Sequence, residues 1–166
     1  MKAKSAKTEH GFEMTQASSA EEIAEARVLF TEYGESLGFS LCFQSFEQEL
    51  ATLPGKYAPP KGRLLLARRA NGDFLGCVAL RPLEEKICEM KRLYTRPEAR
   101  RAGVGKALVD AIIAAAREIG YTRMRLDTVP SVMASAVKMY RGLGFREIPP
   151  YTENPVAGAI FLELEL

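Results

Sequence analysis

The sequence contains very little of the chemistry on which most nucleophilic enzymes and metalloproteins depend. Its 166 residues include one histidine, His10, and three cysteines, Cys42, Cys77 and Cys88, which lie far apart in the chain. An odd number of isolated cysteines argues against a disulfide framework and against a zinc site. A single histidine near the N-terminus removes most Ser–His and Cys–His schemes and histidine-ligated metal centres. We therefore expect no bound metal and no covalent route through a cysteine.

Long apolar runs and a strong charge of one sign are also missing. No stretch of about 18 apolar residues occurs, so we expect no transmembrane helix. Residues 1–11 lack the apolar middle of a secretory signal and are typical of a flexible tail, which leaves residues 12–166 as one domain. The formal net charge of +2 is too small to indicate a nucleic acid or an anionic membrane as the main partner. We expect a cytoplasmic globular protein without either partner.

The first half of the chain predicts two helices and then three strands. Apolar residues recur at helical spacing over Glu21–Leu37, and Ser18 or Ser19 can cap the start of that helix. A shorter helix is expected over Ser45–Leu53, where Pro54 ends it. Three apolar runs of strand length follow at Arg63–Arg69, Phe74–Leu80 and Ile87–Thr95.

The second half alternates between helices and strands. A long amphipathic helix is expected over Lys106–Ile119, and a strand over Arg123–Val129. A further helix is expected over Val132–Leu143 with Ser131 as its cap, and the alternating segment Ile160–Leu166 predicts a half-buried strand. This order of elements predicts a mixed α/β sheet with helices on both faces.

The segment Arg100–Gly105 joins the third strand to the long helix and is the most distinctive part of the chain. It places arginines and two glycines just before a helix start, where backbone N–H groups lack partners and favour phosphate. Two glycine motifs are excluded. A Walker loop needs more residues between its glycines, and the dinucleotide fingerprint needs a third glycine where Leu108 stands. A phosphate site of another type and a simple tight loop both remain open.

A family resemblance decides between these two readings. Arg100-x-x-Gly103-x-Gly105 resembles the Q/R-x-x-G-x-G/A signature of the GNAT N-acetyltransferase superfamily. The preceding strand around Cys88–Pro97 and the later pattern Ala136-x-x-x-Tyr140-x-x-x-Gly144-Phe145 also resemble that family. The resemblance covers Arg63 to Phe145. It implies a single acyltransferase domain with a twisted, mostly antiparallel sheet that splays between strands 87–95 and 123–129.

The resemblance also implies acetyl-CoA as the cosubstrate. Backbone N–H groups of the signature loop would hold the pyrophosphate, and the edge of the preceding strand would pair with the pantetheine arm. One departure is Met133, where many members carry an asparagine that contacts that arm. The residues implied to bind acetyl-CoA are Leu93, Tyr94, Thr95, Arg100, Arg101, Ala102, Gly103, Val104, Gly105 and Lys106.

Two carboxylates are candidates for the base that acetyl transfer to an amine requires, since only a neutral amine can attack. Glu89 lies in the strand beside the implied cofactor, where the family often carries an acid, and is preferred. Asp127, at the end of the neighbouring strand, is the second candidate. The alternative for Glu89 is a structural ion pair with Lys91 or Arg92.

Tyr140 is the candidate acid for the departing CoA sulfur, because it matches the tyrosine of the family. By spacing alone it would be an ordinary core aromatic, and that alternative stays open. A backbone N–H near Leu93 is expected to stabilise the oxyanion. These groups together predict direct attack in a ternary complex.

The acceptor site is the least defined part of the sequence. The family places it between the first two helices and the loop after the last helix, here Tyr33–Phe46 and Pro149–Gly158. The predicted substrate-binding residues are Phe43, Gln44, Asp127 and Tyr151. A small amine is expected, with a protein amine and a non-catalytic acyl-CoA sensor as alternatives. The C-terminal strand could also pair with a second copy in a homodimer.

Overall fold

A mixed β-sheet forms the centre of the molecule. The computed structural model describes residues 6–7 and 11–166, apart from the side chains of residues 6, 7 and 43. Within these residues the sheet has the strand order β1-β2-β3-β4-β5-β6-β8-β7, and only β5 and β6 run parallel. The strands are β1 (Ala6–Lys7), β2 (Phe12–Gln16), β3 (Arg63–Arg69), β4 (Phe74–Glu84), β5 (Ile87–Thr95), β6 (Arg123–Thr128), β7 (Arg146–Ile148) and β8 (Ile160–Glu165).

Four α-helices pack on this sheet: α1 (Ala20–Ser36), α2 (Phe46–Ala51), α3 (Val104–Ile119) and α4 (Ala134–Gly142). Short 3₁₀-helices cover Cys42–Gln44, Gly55–Tyr57 and Pro97–Ala102. No helix in the described part of the chain is long and apolar enough to cross a membrane.

The helix starts show one confirmed and one wrong prediction. Ser19 caps α1 in a capping box with Glu22, as expected. Ser131 does not cap α4, whose N-cap is Met133. The reason is a preceding turn, in which the N–H groups of Val132 and Met133 both donate to the carbonyl of Val129. The helix can begin only after that turn.

The side chains of the sheet alternate between two hydrophobic cores. On β3, Leu64 and Leu66 face the core under α1, whereas Leu65 and Ala67 face the core that also contains α3 and Tyr140. This period of two buries both faces of the strand. The predicted α/β domain with helices on both faces and a mostly antiparallel sheet is therefore confirmed.

Strand β4 and the predicted tail show two of the differences from the sequence prediction. β4 continues to Glu84 instead of ending at Leu80, and a register shift beside Pro82 accommodates the missing N–H of that residue. Within the predicted tail, β1 pairs with β2, while residues 1–5 and 8–10, including His10, lie outside the described residues. The flexible tail and the 12–166 domain boundary stay predictions.

The predicted splay between β5 and β6 is present. The two strands pair only at their starts, where Ile87, Cys88 and Glu89 face β6. Beyond Glu89 the two strands no longer pair with each other. An opening therefore lies between the backbone edge of Met90–Thr95 and that of the end of β6. The candidate site lies in this opening.

Candidate active site

A β-bulge in β5 shapes one wall of the opening. Arg92 and Leu93 together lie opposite Val78 of β4, and Arg92 has a φ of +62°. The carbonyl of Arg92 accepts a hydrogen bond from the Cys77 thiol at 3.3 Å. Because the peptide is trans, the N–H of Leu93 points away from Cys77. The bulge therefore turns one backbone donor away from Cys77, beside the splay.

The Arg92 side chain holds this bulge in place from the α1 side. Its guanidinium donates to both carboxylate oxygens of Glu49, at 2.8 and 3.0 Å, and Tyr57 donates to the same carboxylate. The guanidinium also lies over the rings of Tyr33 and Phe46. Burial alone would lower the pKa of Arg92, but the hydrogen bonds and charge of Glu49 raise it. The Arg92–Glu49 ion pair therefore joins α2 to β5.

A cavity of about 810 Å³ runs along the splay. It extends from the loop before α3, past β5 and β6, to the start of α4. Eight of the ten residues predicted to bind acetyl-CoA line it: Leu93, Tyr94, Thr95, Arg100, Arg101, Gly103, Gly105 and Lys106. Ala102 is exposed, and Val104 is fully buried in the core, so these two could contribute only main-chain groups.

The N-terminus of α3 forms one end of this cavity. Gly103 precedes the helix with a φ of +76°, and no side chain caps the helix start. The first described bond of this turn runs from the Ala107 N–H to the Gly103 carbonyl, so the N–H groups of residues 104–106 have no acceptor within the helix. A Cβ at Gly105 would lie 3.4 Å from Thr95 Oγ1. The end is therefore open, narrow and suited to a phosphate.

Tyr140 belongs both to the core and to the wall of the same cavity. It is 5 % exposed, and its ring packs against Phe145 with centroids 5.5 Å apart. Its hydroxyl makes no hydrogen bond to any described residue. Burial raises the pKa of Tyr140, with a smaller contribution from Tyr33. The group therefore stays protonated at neutral pH and has a proton to donate into the cavity.

Met133 lines the cavity where many family members were expected to carry asparagine. Its sulfur accepts a hydrogen bond from the Thr128 hydroxyl at 3.4 Å. A thioether has no N–H to donate, so Met133 cannot replace the amide contact with the pantetheine arm.

A smaller cavity of about 500 Å³ opens beside the first. Gln44, Lys91 and Asp127 line both cavities, and we call these three residues the junction. Gln44 and Asp127 were predicted to bind the acceptor. Phe43 was predicted as well, but its side chain lies outside the described residues.

Glu89 lies in the smaller cavity and is held by several partners. It is 1 % exposed; Arg81 donates to Oε1 at 2.8 Å, and the Tyr151 hydroxyl donates to Oε2 at 2.6 Å. Lys91 Nζ lies 3.9 Å from Oε1, whereas Arg92 pairs with Glu49 instead. Both carboxylate oxygens of Glu89 are therefore engaged within the protein.

Asp127 is less restrained. Oδ2 accepts a hydrogen bond from the side-chain amide of Asn154 at 2.9 Å, and no ion pair to a described residue reaches this carboxylate. Tyr151 and Asn154 thus attach the Pro149–Gly158 loop to the site, Tyr151 through Glu89 and Asn154 through Asp127. Burial and the nearby charge of Glu89 raise the pKa of Tyr151, which remains a hydrogen-bond donor.

Two residues at the site were not predicted as functional. Lys91 was considered only as an ion-pair partner, and Asn154 lies in a loop whose position the sequence does not determine. The only sequence signal for Lys91 was a cation inside an otherwise buried strand. Asn154 carried no signal of its own, because its role depends on a contact 27 residues away along the chain.

Comparisons with a family model, with related sequences and with a solved structure agree with one another. The model of the family described as "Acetyltransferase (GNAT) family" matches residues 24–145. An uncharacterized N-acetyltransferase of Schizosaccharomyces pombe is 40% identical, covering 88% of this chain and 90% of that protein. One from Dictyostelium discoideum is 29% identical, covering 88% and 95%. A GNAT-family acetyltransferase structure from Staphylococcus aureus superimposes with a TM-score of 0.77 at 18% identity, covering 93% and 98% of the two chains.

Proposed function

Because the chain belongs to the GNAT acetyltransferase family and is an N-acetyltransferase that uses an acyl-CoA donor, we propose that it transfers an acetyl group from acetyl-CoA to the primary amine of a small molecule. The amine attacks directly in a ternary complex. One observation carries this proposal. A single cavity connects the phosphate-type end at α3 with the junction of Gln44, Lys91 and Asp127.

The donor would be held mainly by the main chain. The uncapped start of α3 offers N–H groups for the pyrophosphate, with Arg100 and Arg101 adding positive charge. The unpaired edge of Leu93–Thr95 offers hydrogen bonds to the amides of the pantetheine arm. The bound donor supplies an activated thioester at the point where the cavity meets the bulge.

Asp127 is the better supported base of the two carboxylates. It lies on the junction, where both cavities meet, and its one hydrogen-bond partner is the neutral Asn154. Glu89 lines only the smaller cavity and is engaged by Arg81 and Tyr151. We therefore propose that Asp127 accepts the proton from the attacking amine, and that Glu89 positions Tyr151 and Lys91.

Two further groups complete the proposed chemistry. The N–H of Leu93, turned away from Cys77 by the bulge, is oriented to stabilise negative charge on the carbonyl oxygen. Tyr140 donates its proton to the departing sulfur. In the balanced reaction the C–S bond breaks, a C–N bond forms, the proton of the neutral amine passes to Asp127, and the sulfur takes the proton of Tyr140. Transfer of a proton from Asp127 to Tyr140 through solvent then restores both groups.

The loop contacts favour a small acceptor. Tyr151 and Asn154 attach the Pro149–Gly158 loop to the two strands at the acceptor end. The smaller cavity beside the junction, at about 500 Å³, suits a compact ligand better than an extended chain. The homodimer and the cytoplasmic location stay predictions from the sequence.

The test is acetyl transfer across a panel of amines. The protein is incubated with acetyl-CoA and each of a set of small primary amines, amino acids and lysine-containing peptides, and thiol release is followed. We expect release with small amines above the rate without an acceptor. Release with peptides alone would favour a protein amine. Saturable acetyl-CoA binding without release on any acceptor would favour the sensor alternative.

A further inference from the structure

The charged groups around the junction are not all matched. Arg81 pairs with Glu89, and Arg92 pairs with Glu49, each at 2.8 Å. The hydrogen-bond partner of Lys91 among the described residues is neutral, since its Nζ donates to Gln44 Oε1 at 3.0 Å. Lys91 also forms a long ion pair with Glu89 Oε1 at 3.9 Å, but it shares that oxygen with the closer Arg81, so one carboxylate faces two cations.

Asp127 is the opposite charge that lacks an ionic partner at the same place. Its hydrogen bond comes from the neutral amide of Asn154. Lys91 and Asp127 do not form an ion pair with each other in the described structure, although the charge of Asp127 is close enough to act on Lys91. Because both residues line the same two cavities, the junction presents one cation and one anion to a ligand.

Lys91 is unusual because it is a buried cation with unused donors. Its side chain is only 7% exposed, while an ammonium group has three N–H donors and this one makes a single hydrogen bond. Burial lowers the pKa of Lys91 to about 8, and the charge of Arg92 acts in the same direction. A buried charge with spare donors is costly unless an anion comes to it.

We propose, building on the proposed function, that the acceptor is an α-amino acid whose carboxylate binds Lys91 and whose amine lies against Asp127. An α-amino acid carries its two opposite charges on groups attached to one carbon, which matches the two unmatched charges of the junction. The reaction then yields an N-acetyl amino acid and CoA. The bound ammonium first gives one proton to Asp127, which releases it to solvent, and the neutral amine then attacks. Its second proton passes to Asp127 during the transfer, and the carboxylate stays bound to Lys91 throughout.

The smaller cavity would receive the side chain of this amino acid. Its walls are mostly polar and include Gln48, Thr52, Arg81 and Thr152. Polar groups in these walls would lose hydrogen bonds to water beside an apolar ligand, so the cavity favours a polar side chain over a large aliphatic or aromatic one. The substrate class is therefore a polar α-amino acid.

The first arm of the test compares each free amino acid with its α-amide. Both carry the same amine and side chain, but only the acid can use Lys91. A hydrogen bond to a charged group is commonly worth about ten- to a hundredfold in binding, so we expect kcat/KM for the acid to exceed that for the amide by about this factor. Equal values for acid and amide would overturn the inference while leaving the acetyltransferase proposal intact.

The second arm removes the cation. Lys91→Met keeps most of the side-chain length, and we expect it to lower kcat/KM about ten- to a hundredfold more for the acid than for the amide, mainly through KM. Lys86→Met is the matched control, because Lys86 is an exposed residue of the same β4–β5 hairpin that lines neither cavity. The control should keep the preference for the acid.

Acetyl-CoA affinity is measured for both variants to show that they fold. An equal loss for acid and amide in Lys91→Met, with normal acetyl-CoA affinity, would show that Lys91 does not read the carboxylate. Failure of the proposed function looks different, because thiol release would then be absent for every amine in the wild-type protein.

Discussion

The two ends of the site are built from different parts of the chain. The proposed donor end consists of the loop 97–105, the start of α3 and the splayed edge of β5, and the groups that we propose bind the donor are largely backbone N–H and C=O. The acceptor end consists of the junction and the smaller cavity, and its ligand-facing groups are side chains from separate elements. Gln44 lies in the 3₁₀-helix before α2, Lys91 in β5 and Asp127 in β6.

This difference explains why the donor end could be predicted from the sequence, whereas the charged groups of the acceptor end could not. A helix start with a glycine before it exposes N–H groups wherever that local pattern occurs, so a short motif is enough to specify it. The charges of the acceptor end indicate a ligand only once the ion pairs of the folded protein are known. Arg81 and Arg92 are neutralised by Glu89 and Glu49, and only then does Lys91 stand out.

The largest expected effect comes from removing the base at the acceptor end. Asp127→Asn should lower kcat about 10²- to 10⁴-fold, the usual range for a general base, because the amide cannot accept the amine proton. Acetyl-CoA affinity, measured by calorimetry, should not change. Glu89→Gln is the matched variant in the adjacent strand and should lose much less. A large loss in Glu89→Gln with near-normal turnover in Asp127→Asn would reverse the two roles.

A backbone change should weaken the donor end alone. Gly103→Ala places a Cβ at a φ of +76°, which costs roughly 1–2 kcal/mol, so we expect the free loop to relax out of this conformation. Acetyl-CoA binding would have to restore the conformation, and its affinity should fall by up to about five- to thirtyfold. Gly120→Ala is the control, since Gly120 closes the other end of α3 at a φ of +106° with open space around it. Equal acetyl-CoA affinity in the two variants would mean that the loop geometry does not hold the donor.

Removing the hydroxyl of Tyr140, in the cavity that joins the two ends, should have a moderate effect on kcat. A thiol with a pKa of about 8.5 is a fair leaving group, so Tyr140→Phe should lower kcat only about tenfold, below the full range for acid catalysis. Tyr121→Phe is the control, because its buried hydroxyl donates to the Lys61 carbonyl outside the cavity. Unchanged kcat in Tyr140→Phe at saturating substrates would leave Tyr140 as a core residue only.

The pH dependence of product binding should show the smallest effect and report on the acceptor end. An N-acetyl amino acid has no titratable amine, so its affinity follows the charge of Lys91. The ammonium is present below pH 8 and is lost above it, so affinity should fall about tenfold between pH 7 and pH 9. The charges of Arg92, Glu89, Arg81 and Asp127 also act on Lys91. A flat profile in wild type, or the same slope in Lys91→Met, would contradict the assignment.

Several features could be predicted from the sequence because their causes are local. The bounds of β3 and β5 match the apolar runs, and Ser19 and Gly103 sit where helix capping and loop geometry require them. The prediction that Ser131 caps α4 was wrong, because a turn at Val129 precedes the helix. The position of that turn depends on how the chain leaves the sheet at the end of β6.

The bulge in β5 is the clearest feature that could not be predicted. Nothing in the residues Lys91-Arg92-Leu93 announces a positive φ at a non-glycine position. Arg92 adopts it because Glu49 and the aromatic rings of α1 and α2 hold its side chain, and those contacts span more than 40 residues. Backbone strain of this kind persists only where the surrounding structure fixes it.

The sequence by itself determined the sheet-and-helix order, the uncapped glycine start of α3 and the family, since these depend on periodicity and on a short motif. Tertiary structure alone decided the partners of Glu89, the meeting of Lys91 and Asp127 at the junction, and the attachment of Asn154. The physical reason is that a charge acquires its role from what neutralises it, and the neutralising groups lie on elements distant in the chain.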